Sequence, residues 1–273
     1  MFDEVLACLD GSQLAQQILP LAHGITAAAS TTLTLLRVVA DADELAAEES
    51  ELRQCARRYR ADLRFILSAD PAAAIVGELE AKPNAIAAMT THGRTAWTEA
   101  ILGSVALRVI QGSSRPVILY RAVSGDGGAP KRIKSLVLAL DGSEFSERMT
   151  PFGAEMARAL AARLSLVQAL PPQPAIPALA GNSKSDTLES SYLHGIARKI
   201  KREHDIDCEW EVLHGDPADA LCRYVIGMPE TMLAMTSHAR GGLQRALLGG
   251  VAATCVRRAG VPILMYWPRP HAV

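Results

Sequence analysis

The chain repeats itself once, and that repeat constrains the fold more than any other feature. Val5-Leu6-Ala7-Cys8-Leu9-Asp10-Gly11-Ser12 returns as Leu136-Val137-Leu138-Ala139-Leu140-Asp141-Gly142-Ser143, at a shift of 131. Further on the shift becomes 146: Asp70-Pro71-Ala72 matches Asp216-Pro217-Ala218, and Ala88-Met89-Thr90-Thr91-His92 matches Ala234-Met235-Thr236-Ser237-His238. Residues 84–120 and 230–266 share 12 identities in 37 positions. A period of about 140 residues is far too long for a solenoid repeat and marks a duplicated domain. The length of 273 residues also suits two domains.

The boundary falls in Ser124-Gly125-Asp126-Gly127-Gly128-Ala129-Pro130-Lys131, a flexible linker composition. The domains therefore read 1–122 and 132–268. The growth in shift places an insert around 170–190, opened by Pro171, Pro172, Pro174 and Pro177. Proline this dense excludes helix and central strand and predicts a surface loop. In each half, short apolar runs alternate with helical patterns. Strands are expected at 4–9, 32–38, 63–68, 85–90 and 116–120, then at 135–140, 164–169, 208–213, 231–236 and 262–266. Helices are expected at 12–28, 43–60, 71–81 and 103–111, then at 144–162, 185–204, 217–227 and 249–258. Runs such as 136–140 are apolar throughout, as parallel strands covered on both faces should be. The expectation is α/β: two doubly wound domains with right-handed crossovers. Ligands in such sheets bind beyond the carboxyl ends of the strands, which directs attention to the residues after strands one, two and four of each half.

Composition removes several function classes. With 28 Lys+Arg against 29 Asp+Glu and only 4% aromatics, no nucleic-acid partner is expected. Five scattered cysteines without a C-x-x-C suit a reducing compartment and argue against a zinc site. The chain opens without a basic, apolar leader, and no run approaches the ~18 apolar residues of a membrane span. A cytoplasmic protein with no membrane partner is the expectation.

After the first strand of each half stands Asp-Gly-Ser. Structurally, the glycine makes a tight turn and the serine caps the helix. Functionally, Asp10 can aim its carboxylate at a ligand hydroxyl or amine. After strand four come Thr90-Thr91-His92-Gly93-Arg94, then Gly103-Ser104-Val105 opening a helix. A glycine loop feeding a helix N-terminus collects backbone N–H groups and suits an anion. Ser104 adds a hydroxyl and Arg94 a charge. Neither a P-loop nor a G-x-G-x-x-G after strand one is present.

These motifs, in this order and twice over, resemble the universal stress protein family, and more narrowly a tandem member with two such domains. The resemblance implies a five-stranded parallel sheet of order 3-2-1-4-5 in each half, and ATP binding in some members. Nucleotide-binding members are similar in carrying G-x2-G-x9-G-[S/T]. In the first half those positions are Thr90, Gly93, Gly103 and Ser104; in the second they are Thr236, Ala239, Gly249 and Gly250. The resemblance therefore places an adenine nucleotide, ATP with Mg2+, in the first half, on Asp10, Gly11, Val39, Thr90, Thr91, His92, Gly93, Arg94, Gly103, Ser104 and Val105. Val39 would pack the adenine and Asp10 would face the adenosine. The second half would be mainly a packing partner, its crevice altered by the insert.

Other features read as structural. Cys8 and Cys255 fall in core positions. The charges from Glu44 to Arg58 read as a solvated helix face. Pro20 and Pro151 imply a matched kink in the first helix of each half. His92 and His238 read as structural loop histidines. The apolar runs 116–120 and 262–266 are edge strands by the implied order, so they should pair and make an intramolecular pseudo-dimer, with a homodimer of whole chains as a further level. A stress-response protein that binds adenine nucleotide is the leading expectation. The alternative is a non-nucleotide interaction scaffold on the same fold. No general base or carboxylate cluster stands beside the glycine loop, so at most slow ATP turnover is expected.

Overall fold

The computed structural model describes residues 2–91, 102–121, 130–171, 183–237 and 248–268, with 183–189 as backbone. The first half runs β1 (Glu4–Leu9), α1 (Gln13–Gln16), α2 (Leu19–Ala29), β2 (Thr32–Val39), α3 (Ala42–Tyr59), β3 (Asp62–Leu67), α4 (Pro71–Ala81), β4 (Ala85–Thr90), α5 (Ser104–Gly112) and β5 (Val117–Tyr120). The second half repeats this as β6 (Ser135–Leu140), α6 (Glu144–Glu147), α7 (Thr150–Ala159), β7 (Arg163–Leu170), α8 (Ser183–His204), β8 (Cys208–His214), α9 (Pro217–Ile226), β9 (Thr231–Thr236), α10 (Gly250–Arg258) and β10 (Ile263–Tyr266).

All ten strands form one sheet, in the order β3-β2-β1-β4-β5-β10-β9-β6-β7-β8. Each half has the expected 3-2-1-4-5 order, and pairing within each half is parallel. Strands β4, β6 and β9 are buried at every residue, because helices cover both faces.

The halves join through β5 and β10, which pair antiparallel. Ile118 faces Leu264 there, flanked by Leu119 opposite Ile263 and Val117 opposite Met265. Ile118 and Leu264 are equivalent positions of the repeat, so the pseudo-two-fold axis passes through that pair. Every residue of β5 is buried by the pairing, and no apolar edge is left open there. Arg115 reinforces the joint: its guanidinium lies 2.8 Å from Glu155 on α7 and covers the Phe152 ring.

Two local readings are corrected. Pro20 and Pro151 break the first helix instead of kinking it, since each lies in the first turn of a new helix, α2 or α7. Proline has no N–H to give, and the first turn is where none is needed. In the insert, helix α8 already begins at Ser183, so only the proline-rich part falls before it; residues 172–182 lie outside the described residues. Cys8, Cys222 and Cys255 are buried, and burial pushes the Cys8 thiol up to about 12. No helix among the described residues is long and apolar enough to cross a membrane.

Candidate functional site

The Asp-Gly-Ser turns adopt the same geometry in both halves. Gly11 has φ +83° and Gly142 φ +81°, a conformation that L side chains avoid. Ser12 Oγ accepts from the Ala15 N–H at 3.0 Å, and Ser143 Oγ from the Ser146 N–H at 3.1 Å. Asp10 accepts from the Ser12 N–H at 2.9 Å. The capping role of this motif is thus present in each half.

Beyond the turns the halves part. In the first, β2 is an apolar strand with one charge, Arg37, whose side chain is only 6% exposed. Its Nε donates to Glu48 at 2.6 Å and an Nη to Glu44 at 2.7 Å. Burial works against the guanidinium charge, yet the Glu48 hydrogen bond and charge, aided by Glu44, hold its pKa above the ordinary arginine value. Glu44 also accepts from the Ala40 N–H at 2.8 Å, just past the strand end. The Glu48 carboxylate lies directly over the first turn: a Cβ on Gly11 would stand 2.5 Å from its Oε1. The space beside Gly11 holds this chain's own carboxylate. Reading Glu44 and Glu48 as part of a solvated face is therefore corrected. Their i, i+4 spacing puts both on the side of α3 that faces Arg37. The Glu49–Arg53 pair on the same helix is exposed, as expected. The signal that sequence reasoning missed was a lone arginine inside a buried apolar strand, which requires a counter-ion.

The remaining first-half residues are placed as follows. Val39 is buried at the end of β2, and Thr90 and Thr91 are buried after β4. The Gly103 N–H already donates to the Thr91 carbonyl at 2.7 Å, and Thr91 N–H to the Tyr120 carbonyl at 2.9 Å. Ser104 and Val105 open α5. His92, Gly93 and Arg94 lie outside the described residues.

In the second half a crevice of about 690 Å3 opens at the carboxyl ends of β6, β7 and β9. Asp141 and Ser146 form one side, Ala169, Leu170 and Pro171 another, and Thr236, Ser237 and the start of α10 a third. Such a volume suits a small-molecule site. At the Arg37 position stands Gln168, which lines the crevice and is 4% exposed. Its Oε1 is buried without a hydrogen-bond partner among the described residues. The left-handed residues Arg60 and Asp205 that follow α3 and α8 align these helices at a shift of 145, which sets Glu44 at Glu189, a residue described as backbone only, and Glu48 at Leu193, so the carboxylate over the first turn has no counterpart. Among the described residues helix α10 begins without a side-chain cap, the Gly249 N–H donates to Ser237 Oγ at 3.3 Å, and nothing lies within 4 Å of where a Cβ on Gly250 would be. Its first-turn N–H groups suit an anion. Residues 238–247, including Ala239, lie outside the described residues. Among the described residues no group of three or more His, Cys, Asp or Glu could hold a metal ion.

The sequence profile of the universal stress protein family matches residues 1–121 and again 132–266. The chain belongs to the universal stress protein family. Among solved structures, the universal stress protein from Archaeoglobus fulgidus DSM 4304 is 18% identical, covering 97% of this chain and 98% of that one at a TM-score of 0.73. A functionally unknown protein from Pseudomonas aeruginosa PAO1 is 19% identical, covering 98% and 93% at a TM-score of 0.63. A universal stress protein from Archaeoglobus fulgidus in complex with dAMP is 20% identical and covers 48% of this chain and 96% of that one, with a TM-score of 0.38. At these identities the two long matches establish the fold and say nothing of a ligand. No curated protein matches the sequence.

Proposed function

We propose that this universal stress protein binds an adenine nucleotide, and that its seat is the second-half crevice and not the first-half residues that the motif favoured. One observation carries the choice. The turn at Gly11 is covered by Glu48, whereas the turn at Gly142 borders a crevice of about 690 Å3. The second-half residues suit a nucleotide. The uncapped N-terminus of α10 matches phosphate, Asp141 a ribose hydroxyl, and the Leu170 and Met235 side chains an apolar ring. ATP with Mg2+ is the form that family resemblance implies, and the ion would be held by phosphate oxygens and water. A stress-response role in the cytoplasm belongs to the same proposal.

Two substitutions at equivalent positions test it. Gly250→Val adds a side chain at the start of α10 where nothing among the described residues lies within 4 Å, and Ser104→Val enlarges the exposed side chain at the equivalent start of α5. Calorimetric titration with Mg-ATP should show one site per chain, weakened about tenfold or more by Gly250→Val and unchanged by Ser104→Val. Loss on Ser104→Val alone would return the nucleotide to the first half. No binding by the parent chain would favour the interaction scaffold.

A further inference from the structure

We propose that Gln168 reads the base in the second-half crevice and selects a 6-amino purine over a 6-oxo purine. The inference rests on the nucleotide reading above and deepens it. Gln168 sits on β7 near its carboxyl end, opposite Leu140 of β6. Its Nε2 end lies against the turn, since a Cβ on Gly142 would stand 3.3 Å from it. Its Oε1 is buried and has no partner among the described residues. A buried acceptor without a donor is unfavourable, and a polar side chain held this way in a crevice wall is arranged for a partner that arrives from outside.

The chemistry of the amide names that partner. A carboxamide offers one acceptor and one donor group side by side. Adenine presents the complement, the N6 amino donor beside the N7 acceptor, and glutamine pairs with that edge through two hydrogen bonds. A 6-oxo purine presents two acceptors, O6 and N7, along the same edge. Along the N7 edge, rotating the amide by half a turn does not help, because only one of its two ends donates; one acceptor of that edge then faces Oε1. On this edge the selection is independent of which way the amide is placed; on the opposite edge a 6-oxo purine sets the N1–H donor beside O6 and would pair with a carboxamide equally well, so the selection we infer is that of a base presenting its N7 edge.

The first half supplies the contrast. Arg37, at the same repeat position, carries donors only, and its guanidinium is already bound by Glu44 and Glu48. Freed of such partners, an arginine pairs with the O6 and N7 acceptors of a 6-oxo purine. In the second half Leu193 stands where the first has Glu48, so replacing Gln168 by arginine should reverse the selection.

The experiment is calorimetric titration of the full chain with AMP and with IMP, which differ at the 6-position and in the proton on N1. The parent should prefer AMP by about tenfold, the low end of what a two-bond contact discriminates. Gln168→Leu keeps the side-chain bulk and removes both polar ends, so the two affinities should converge to within about twofold. Gln168→Arg should favour IMP, and Gln168→Leu decides the matter if the arginine variant does not fold. A preference for AMP retained in Gln168→Leu would overturn the role of Gln168 while leaving the nucleotide site standing. A parent that binds neither nucleotide would overturn both readings.

Discussion

Adding one methyl group at Gly11 should test the placement of Glu48 over the first turn by a route independent of any ligand. Gly11→Ala meets two costs. The backbone there has φ +83°, and holding an L residue in the left-handed region costs about 1–2 kcal/mol. The new Cβ would also stand 2.5 Å from Glu48 Oε1. Glu48 cannot swing aside freely, because its oxygens accept from Arg37 at 2.6 and 3.0 Å. Displacing it gives up charge-assisted hydrogen bonds worth roughly 1.5–3 kcal/mol, towards the lower figure because Glu44 still serves Arg37. Together the change should cost about 3 kcal/mol. Gly142→Ala meets the same backbone cost, but its Cβ would stand 3.3 Å from the Gln168 amide, so about 1–2 kcal/mol is expected. In a Glu48→Ala background the steric part vanishes and Gly11→Ala should fall to the Gly142→Ala figure. The assay is equilibrium urea unfolding of the four members of the Gly11/Glu48 double-mutant cycle and of Gly142→Ala. Equal costs at Gly11 and Gly142, or additivity within about 0.5 kcal/mol, would refute the placement of Glu48 over the turn.

The Asp70 carboxyl is held below its ordinary pKa by the Arg108 hydrogen bond, then by the Ala73 N–H. Its contribution to stability is present above the ordinary carboxylate range and is lost as pH falls through the depressed value. Asp70→Asn should thus lower Tm in neutral buffer and leave it unchanged in strongly acidic buffer, as read by thermal unfolding at both. Arg115→Ala removes the bridge to Glu155 across the two halves, and about 1 kcal/mol of unfolding free energy should go with it, measured in urea. Burial raises the pKa of Cys8, Cys222 and Cys255, so these thiols should resist a maleimide in the native protein and react only on unfolding, as mass spectrometry of labelled peptides would show.

Much of the fold was legible because the repeat states it twice. Strand positions predicted from apolar runs agree with the structure to within about two residues, and the Asp-Gly-Ser motif marks each first turn. The pairing of β5 with β10 also followed, since two apolar edges in one chain have reason to meet. What escaped was the difference between the halves. The glycine motif scores the loop after strand four, but in the first half the turn after strand one is covered through a contact between strand two and the helix after it. Arg37 and Glu48 are 11 residues apart, and no local periodicity links a strand residue to a helix residue. Their contact exists only once α3 packs on β2. In the same way Gln168 reads as one polar residue in an apolar run until the crevice beside it is seen.

The joint at Ile118 and Leu264 has a consequence for how such a molecule can change. In a dimer of identical chains, any substitution alters both crevices at once, so one cannot be sealed while its twin stays open. Here the two-fold relation lies within a single chain, and equivalent positions vary separately: Arg37 against Gln168, Ser104 against Gly250. A half whose first turn is covered still contributes five strands and its share of the central pairing. Selection on what is bound is thereby released from selection on how the halves assemble.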